Sequence, residues 1–204
     1  MLIQKNKMIE RYLTQTHFTS EEDFRDNLHF VVPETFNFAY DVMDEWAKVA
    51  PDKLALLWTS ERGEELRATY AEFKEQTDQA ASYFLSLGIG RGDKVMLILK
   101  RHYQWWVSMM ALCKIGAVAI PATHMLTAKE RASVKAIICV NDEYVTTQVM
   151  EAMAESPTVE VLVAVNSLAQ KGCPIADGFH DWFAEWENAP TFVRPENVNV
   201  NEDT

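Results

Sequence analysis

From Lys94 onward the chain repeats one pattern: a short run of apolar residues, a longer stretch with helical spacing, then another apolar run. The runs are "KVMLIL" from Lys94, "AVAIPAT" from Ala117, "VKAIICV" from Val134 and "VEVLVAV" from Val159. Runs this short with almost no polar alternation are what a strand buried on both faces requires. Between them lie "YQWWVSMMALCKIG", apolar nearly all round and so expected to be a buried helix, and "DEYVTTQVMEAMAE", a second helix. Strands that alternate with helices predict an α/β fold, a mostly parallel sheet with right-handed crossovers and flanking helices. Asn166 to Gly178 reads as loop and "FHDWFAEWEN" as a short aromatic helix, with Trp182 and Trp186 on one face as its anchor.

Ahead of the first run stands "SLGIGRGDK", whose three alternating glycines imitate a nucleotide loop. A phosphate-binding glycine loop follows a strand and opens a helix, so that the helix amides point at the anion. Here the order is reversed. Thr69 and Glu72 form a capping box, and Phe73, Thr77, Ala80 and Phe84 make one helical stripe. Gly88 then suits the left-handed residue that ends a helix. The glycines therefore turn the chain, at a helix end whose dipole repels phosphate.

Upstream, "LALLWTS" and "EELRATY" flank Arg62-Gly63 and predict a small β-hairpin. "FNFAYDVMDEWAKVAPD" predicts a helix with Phe38, Val42, Trp46 and Val49 inward, ended by Pro51. The first thirty-odd residues read as polar, amphipathic helix and loop. One connection is short: only His124 to Ser133, "HMLTAKERAS", separates two of the apolar runs. A parallel crossover normally needs a dozen residues or more, so either these strands are not simply joined or residues are missing near 124–133.

The 30 acidic and 19 basic residues leave a net charge of −11, which disfavours a nucleic-acid surface and favours solubility. "MLIQKNKMIERYL" has no apolar signal region, and the longest apolar stretch, broken by Lys114, falls short of the ~20 residues that span a bilayer. Cys113, Cys139 and Cys173 have no metal-ligand spacing and read as reduced core residues of a cytoplasmic protein.

Three features occur together and in order: the Thr-Tyr-x-Glu helix start, the L-G-x-x-x-G-D-x-V turn and the G-A-V-x-x-P strand. With "LK...WW..MMA..KIGAVAIPATHMLTAKE", they resemble the acyl-CoA synthetases of the adenylate-forming superfamily, on the medium-chain and acetyl-CoA synthetase side. The resemblance runs from about Phe36 to Val165. It implies a protein that makes an acyl-adenylate from a short- or medium-chain carboxylic acid and ATP with Mg2+, then passes the acyl group to CoA. It implies the incomplete N-terminal domain of that fold: an extension over 1–35, a partial α/β subdomain over 36–188, and a polar tail over 189–204 leading to an absent phosphate loop. This piece alone is then expected to be inactive. Alternatives are another adenylate-forming ligase, of aryl-CoA or peptide-synthetase type, and a non-catalytic α/β ligand- or partner-binding module.

In open α/β sheets, ligands meet the C-terminal ends of strands. Two such ends are visible: Arg101 and His102 after "KVMLILK", and Thr123, His124 and Met125 after "AVAIP". The resemblance puts His124 on the CoA side of the cleft, with Thr123 and Arg101 as further candidates for binding CoA or ATP; no catalytic residue and no metal ligand is assigned. The plainer readings are a loop histidine bonded to backbone or water, and polar residues that open a helix. Trp105, Trp106, Met109 and Met110 read as core packing rather than an acyl tunnel. Asp142 and Glu143 read as a helix start. Relatives that bind the CoA 3′-phosphate with arginines place them shortly after such an Asp-Glu, where this chain has Thr146 and Gln148.

Overall fold

The computed structural model describes residues 8–125 and 134–196, so 126–133 of the short connection from His124 to Ser133, and the ends at 1–7 and 197–204, lie outside the described residues. The chain divides into two compact units at Phe36/Asn37. In the first, a 3-10 turn (Ile9–Arg11) and helix α1 (Glu21–Asn27) are joined by an isolated antiparallel bridge between Leu13 and Phe30. Ser20 caps α1 by accepting from Asp23 N, and Asp23 accepts from Thr19 N and Oγ1 in return.

The second unit contains the sheet. Strands β1 (Leu54–Thr59) and β2 (Glu65–Thr69) form the antiparallel hairpin, turned at Gly63 with φ +80°. Helix α3 (Tyr70–Ser86) starts on the expected capping box: Thr69 Oγ1 accepts from Glu72 N, and Glu72 Oε2 accepts from Thr69 N. Phe73, Thr77, Ala80 and Phe84 are all buried. Gly88 ends the helix at φ +77°, and the glycine-rich stretch is a turn.

β3 (Lys94–Ile98), β4 (Val118–Pro121), β5 (Ala136–Val140), β6 (Val161–Val165) and the two-residue β7 (His180–Asp181) pair in the order β4-β3-β5-β6-β7, every neighbour parallel. Strands β5 and β6 are buried at every position, as their apolar runs demanded. β4 and β5 are not neighbours; β3 lies between them. β4 is an edge strand, which is where Pro121, lacking an N–H, costs no ladder bond.

α4 (Gln104–Ile115) connects β3 to β4 and α5 (Glu143–Glu155) connects β5 to β6. The two crossovers travel in opposite directions along the sheet, so the right-handed rule puts α4 and α5 on opposite faces. α3 packs on α4, and α6 (Trp182–Trp186) packs on α3. Trp182 anchors α6 edge-on to Tyr83 and Phe84, at 5.9 and 5.7 Å between ring centres.

Four expectations need correction. Residues 39–49 are not one regular helix: Ala39–Asp44 is a π-helix followed by α2 (Glu45–Val49). The wider turn buries Ala39, Tyr40 and Asp44 and leaves Phe38 and Val49 exposed, because Asp44 is drawn inward by a buried lysine described below. "FHDWFAEWEN" opens as strand, since His180 and Asp181 pair with Val163 and Ala164 before α6 begins. Trp106 is half exposed, although Trp105, Met109 and Met110 do pack against the core. None of the three cysteines is in a disulfide, but Cys173 is exposed; Cys139 is fully buried, with Cys113 between.

Candidate functional site at the C-terminal rim of the sheet

β3 and β5 lie side by side, yet the chain leaves β3 toward β4 and leaves β5 toward β6. Connections that part in this way open a crevice at the C-terminal strand ends, the place where open α/β sheets receive ligands. The residues lining that rim come directly from the strand sequences. Lys100 follows β3 and Asp142 follows β5, and Lys100 Nζ lies 3.2 Å from Asp142 Oδ2 across the gap. Lys100 is also the non-glycine residue with positive φ among the described residues, at +47°. Holding a Cβ-bearing residue there costs on the order of 1 kcal/mol or more. Partial burial pulls the Asp142 carboxyl up. The Lys100 ammonium and the Val145 amide it caps outweigh that and hold it below the ordinary carboxylate range.

On the β6 side, two asparagines clasp the rim. Asn141 Nδ2 donates to Asn166 Oδ1 at 2.8 Å and to Pro174 O at 3.1 Å, and its Oδ1 accepts from Ala176 N. Asn166 Nδ2 donates to Cys173 O at 2.9 Å. These bonds fix the loop after β6 against the end of β5.

On the β4 side stand the residues singled out by sequence. Arg101 and His102 do not open a helix; they form a turn that precedes α4, with His102 N donating to Leu99 O. The Arg101 carbonyl accepts from Trp58 Nε1 of the hairpin at 2.5 Å, while its guanidinium reaches Glu61 at 3.5 Å and is almost fully exposed. Thr123 Oγ1 accepts from Met125 N, and His124 is half-buried beside it. Because β3 and β4 are paired, with Ala122 N donating to Leu97 O, Arg101 and the Thr123-His124 pair follow adjacent strands onto one rim. Asp142 and Glu143 start α5 as expected, Asp142 as its cap.

His102 is buried enough to favour the neutral ring, which lowers its pKa from the ordinary 6.5. The unfolded chain therefore takes up this proton first as pH falls, so stability drops as pH is lowered through the ordinary histidine range. Melting temperatures between pH 8 and 5 should fall less steeply in His102→Gln than in the wild type.

Sequence reasoning missed Lys100, Asn141 and Asn166. The available signal was positional: each is a polar residue within two positions of the end of an apolar strand. Chemically, the rim offers two cations, an imidazole and amide groups suited to anionic and amide-bearing ligands. No group of three or more metal-ligating side chains is found among the described residues. Among the described residues, depressions elsewhere include one of about 470 Å³ at the opposite, N-terminal edge beside Asp93, Lys94 and Lys135, and one of about 330 Å³ along α3.

A family model described as AMP-binding enzyme matches residues 43–200, which contain the whole sheet and its rim. The chain belongs to the AMP-binding enzyme family. Among relatives, it is 34% identical over 126 residues to the human mitochondrial acyl-coenzyme A synthetase ACSM3, covering 59% of this chain and 22% of that one. It is 31% identical over 151 residues to the mouse mitochondrial acyl-coenzyme A synthetase ACSM5, covering 69% of this chain and 26% of the other. The fold is shared with acetoacetyl-CoA synthetase from Streptomyces lividans, at a TM-score of 0.65 and 24% identity, covering 84% of this chain and 27% of that structure. The chain spans about a quarter of the length of the relatives it matches. Within this AMP-binding family member no described helix is long and apolar enough to cross a membrane.

Proposed function

We propose that the polypeptide containing this chain is an AMP-forming acid–thiol ligase that converts a short- or medium-chain carboxylic acid to its acyl-CoA. The observation that carries this reading is the family match over residues 43–200, which coincides with the parallel sheet and its ligand-type rim. A carboxylate is a poor electrophile. In the first half-reaction its oxygen attacks the α-phosphorus of ATP, held with Mg2+, and pyrophosphate leaves. In the second, the CoA thiolate attacks the acyl carbonyl and AMP leaves. Such chemistry relies on amides and cations around the reacting phosphate.

On this reading, residues 36–188 are a partial N-terminal subdomain, 1–35 an extension and 189–204 a polar tail. Their part in catalysis is to present the rim. His124 donates to a pantetheine carbonyl or a phosphate of CoA, Thr123 orders the turn that holds it, and Arg101 supplies exposed positive charge. The reacting groups belong to other parts of the polypeptide, so residues 1–204 alone form no adenylate. Three cysteines outside any disulfide fit a reducing compartment, and we place the protein in the cytoplasm.

The test is acid-dependent exchange of pyrophosphate into ATP by the intact polypeptide, over straight-chain acids from acetate to dodecanoate and with benzoate as the aryl control. Exchange with short or medium chains, followed by thioester formation with CoA, is expected. His124→Ala should raise the KM for CoA about tenfold, roughly the weight of one polar contact, and leave pyrophosphate exchange unchanged. Absence of acid-dependent exchange overturns the proposal; exchange with benzoate alone moves it to the aryl-CoA ligases.

A further inference from the structure

The flank of α3 carries a set of contacts that belongs neither to the sheet nor to its rim. After α6, residues 187–196 run along this helix without entering a strand or helix. Gln79 Nε2 donates to Trp186 O at 2.9 Å and Ala189 O at 3.3 Å, and Phe192 packs against the core. The Arg194 guanidinium lies 3.8 Å from the centre of the Tyr40 ring. Thr191 and Phe192 face Lys74, Asp78 and Gln79 across the 330 Å³ depression.

Beneath this segment is an ion cluster, buried at Lys114 and Asp44 and reaching the surface at Lys74. Tyr40 Oη donates to Lys114 O at 2.9 Å. The Lys114 side chain has no exposed surface, and its Nζ is 2.8 Å from Asp44 Oδ1 and 2.5 Å from Asp78 Oδ1. Asp78 holds Lys74 on its other oxygen. Two cations and two carboxylates balance, drawn from the π-helix, α3 and α4. In a low-dielectric site, admitting water weakens every such attraction at once.

We propose that residues 187–196 are a strap that opens as a unit, its seating coupled through Tyr40 to the Lys114 ion cluster. The strap is held by the Gln79 amide, the Phe192 ring and the Arg194 guanidinium, and at its base by the ion pair of Glu187 with Lys171 and the bond that Asn188 Nδ2 donates to Ala184 O. Its backbone bonds are short turns, Asn188 N to Glu185 O and Ala189 N to Trp186 O, so lifting it leaves the β ladder intact. Lifting Arg194 uncovers Tyr40, now 8% exposed, and with it the path to Lys114. Loosening the cluster frees Tyr40 and removes the platform on which Arg194 rests. Tyr40 sits within the π-helix, a backbone form that is rare and often found where a helix must adjust. Opening also exposes the depression above Asp78.

Coupling of this kind is reciprocal, which makes it testable in both directions. In the intact polypeptide, a nitroxide at Val193→Cys, in a background lacking Cys113 and Cys173, reports strap mobility. Asp44→Asn should raise its mobile fraction about threefold. Cys113, half-buried next to Lys114 and bonded to Asn37, reports the cluster side. In a Cys173→Ser background, Arg194→Ala should speed its reaction with a soluble disulfide reagent about tenfold, while Cys139 in β5 stays unreactive. Asp78→Asn replaces Asp44→Asn should the latter not fold. No response in either reporter, or a response in one direction only, overturns the proposal.

Discussion

Lys114→Ala is expected to destabilise the second unit by about 3–5 kcal/mol, the cost of leaving buried charge without its partner. In a protein of this size that corresponds to a fall in melting temperature of roughly 10 °C, measurable by circular dichroism. Truncation removes the ammonium that lies 2.8 Å from Asp44 and 2.5 Å from Asp78. Burial already pushes the Asp44 carboxyl upward, and Lys114 is the main influence opposing it. Without the lysine, Asp44 must take up a proton or draw in water. The loss should therefore shrink at low pH, where Asp44 is protonated in any case. Lys114→Met keeps most of the volume and isolates the charge effect. Combining it with Asp44→Asn should recover part of the loss, because the orphaned carboxylate is then gone. If Lys114→Met alone is neutral, the cluster contributes no net stability and the π-helix is held by Asn37 and Tyr40.

Trp182→Ala should cost a comparable ~3–5 kcal/mol, here through a cavity rather than a charge. Trp182 is 1% exposed and meets Tyr83 and Phe84 edge-on, so its ring joins α6 to α3. The indole Nε1 is buried and meets no hydrogen-bond acceptor among the described residues. Trp182→Phe therefore forfeits packing area without breaking a bond, and it removes an unsatisfied donor, so it should cost well under half as much as alanine. Chemical denaturation of the three proteins checks the order. A phenylalanine variant as unstable as the alanine variant would mean that the indole N–H matters.

The sheet was legible because a strand buried on both faces leaves few sequences possible. "KVMLIL", "VKAIICV" and "VEVLVAV" announce themselves without any knowledge of neighbours. The capping box at Thr69 and Glu72 is equally local. What sequence could not supply was pairing order, since nothing in "AVAIPAT" states that β3 will stand between it and β5. The face of residues 38–49 was misread for a related reason. Periodicity ranks Phe38 and Val49 above Asp44, and only a lysine seventy residues away reverses the ranking. Lys114 itself was read as an interruption of an apolar run, which is how a buried charge looks until its partners are known. β7 was missed because two residues carry no period. At the rim, the fold rule placed Arg101, Thr123 and His124 after strands β3 and β4, while Lys100 stayed unnoticed because its backbone conformation has no sequence mark.

The central position of β3 bears on biosynthesis. Its final neighbour, β5, is translated some forty residues later, about 2–8 s at ordinary ribosomal rates. Throughout that interval Val95 to Leu99, all shielded from water in the finished molecule, can pair on one side at most. Exposed apolar segments with an unpaired strand edge are what chaperones cover, so crosslinking of a ribosome-associated chaperone to stalled nascent chains should peak before Val140 emerges and decline after it.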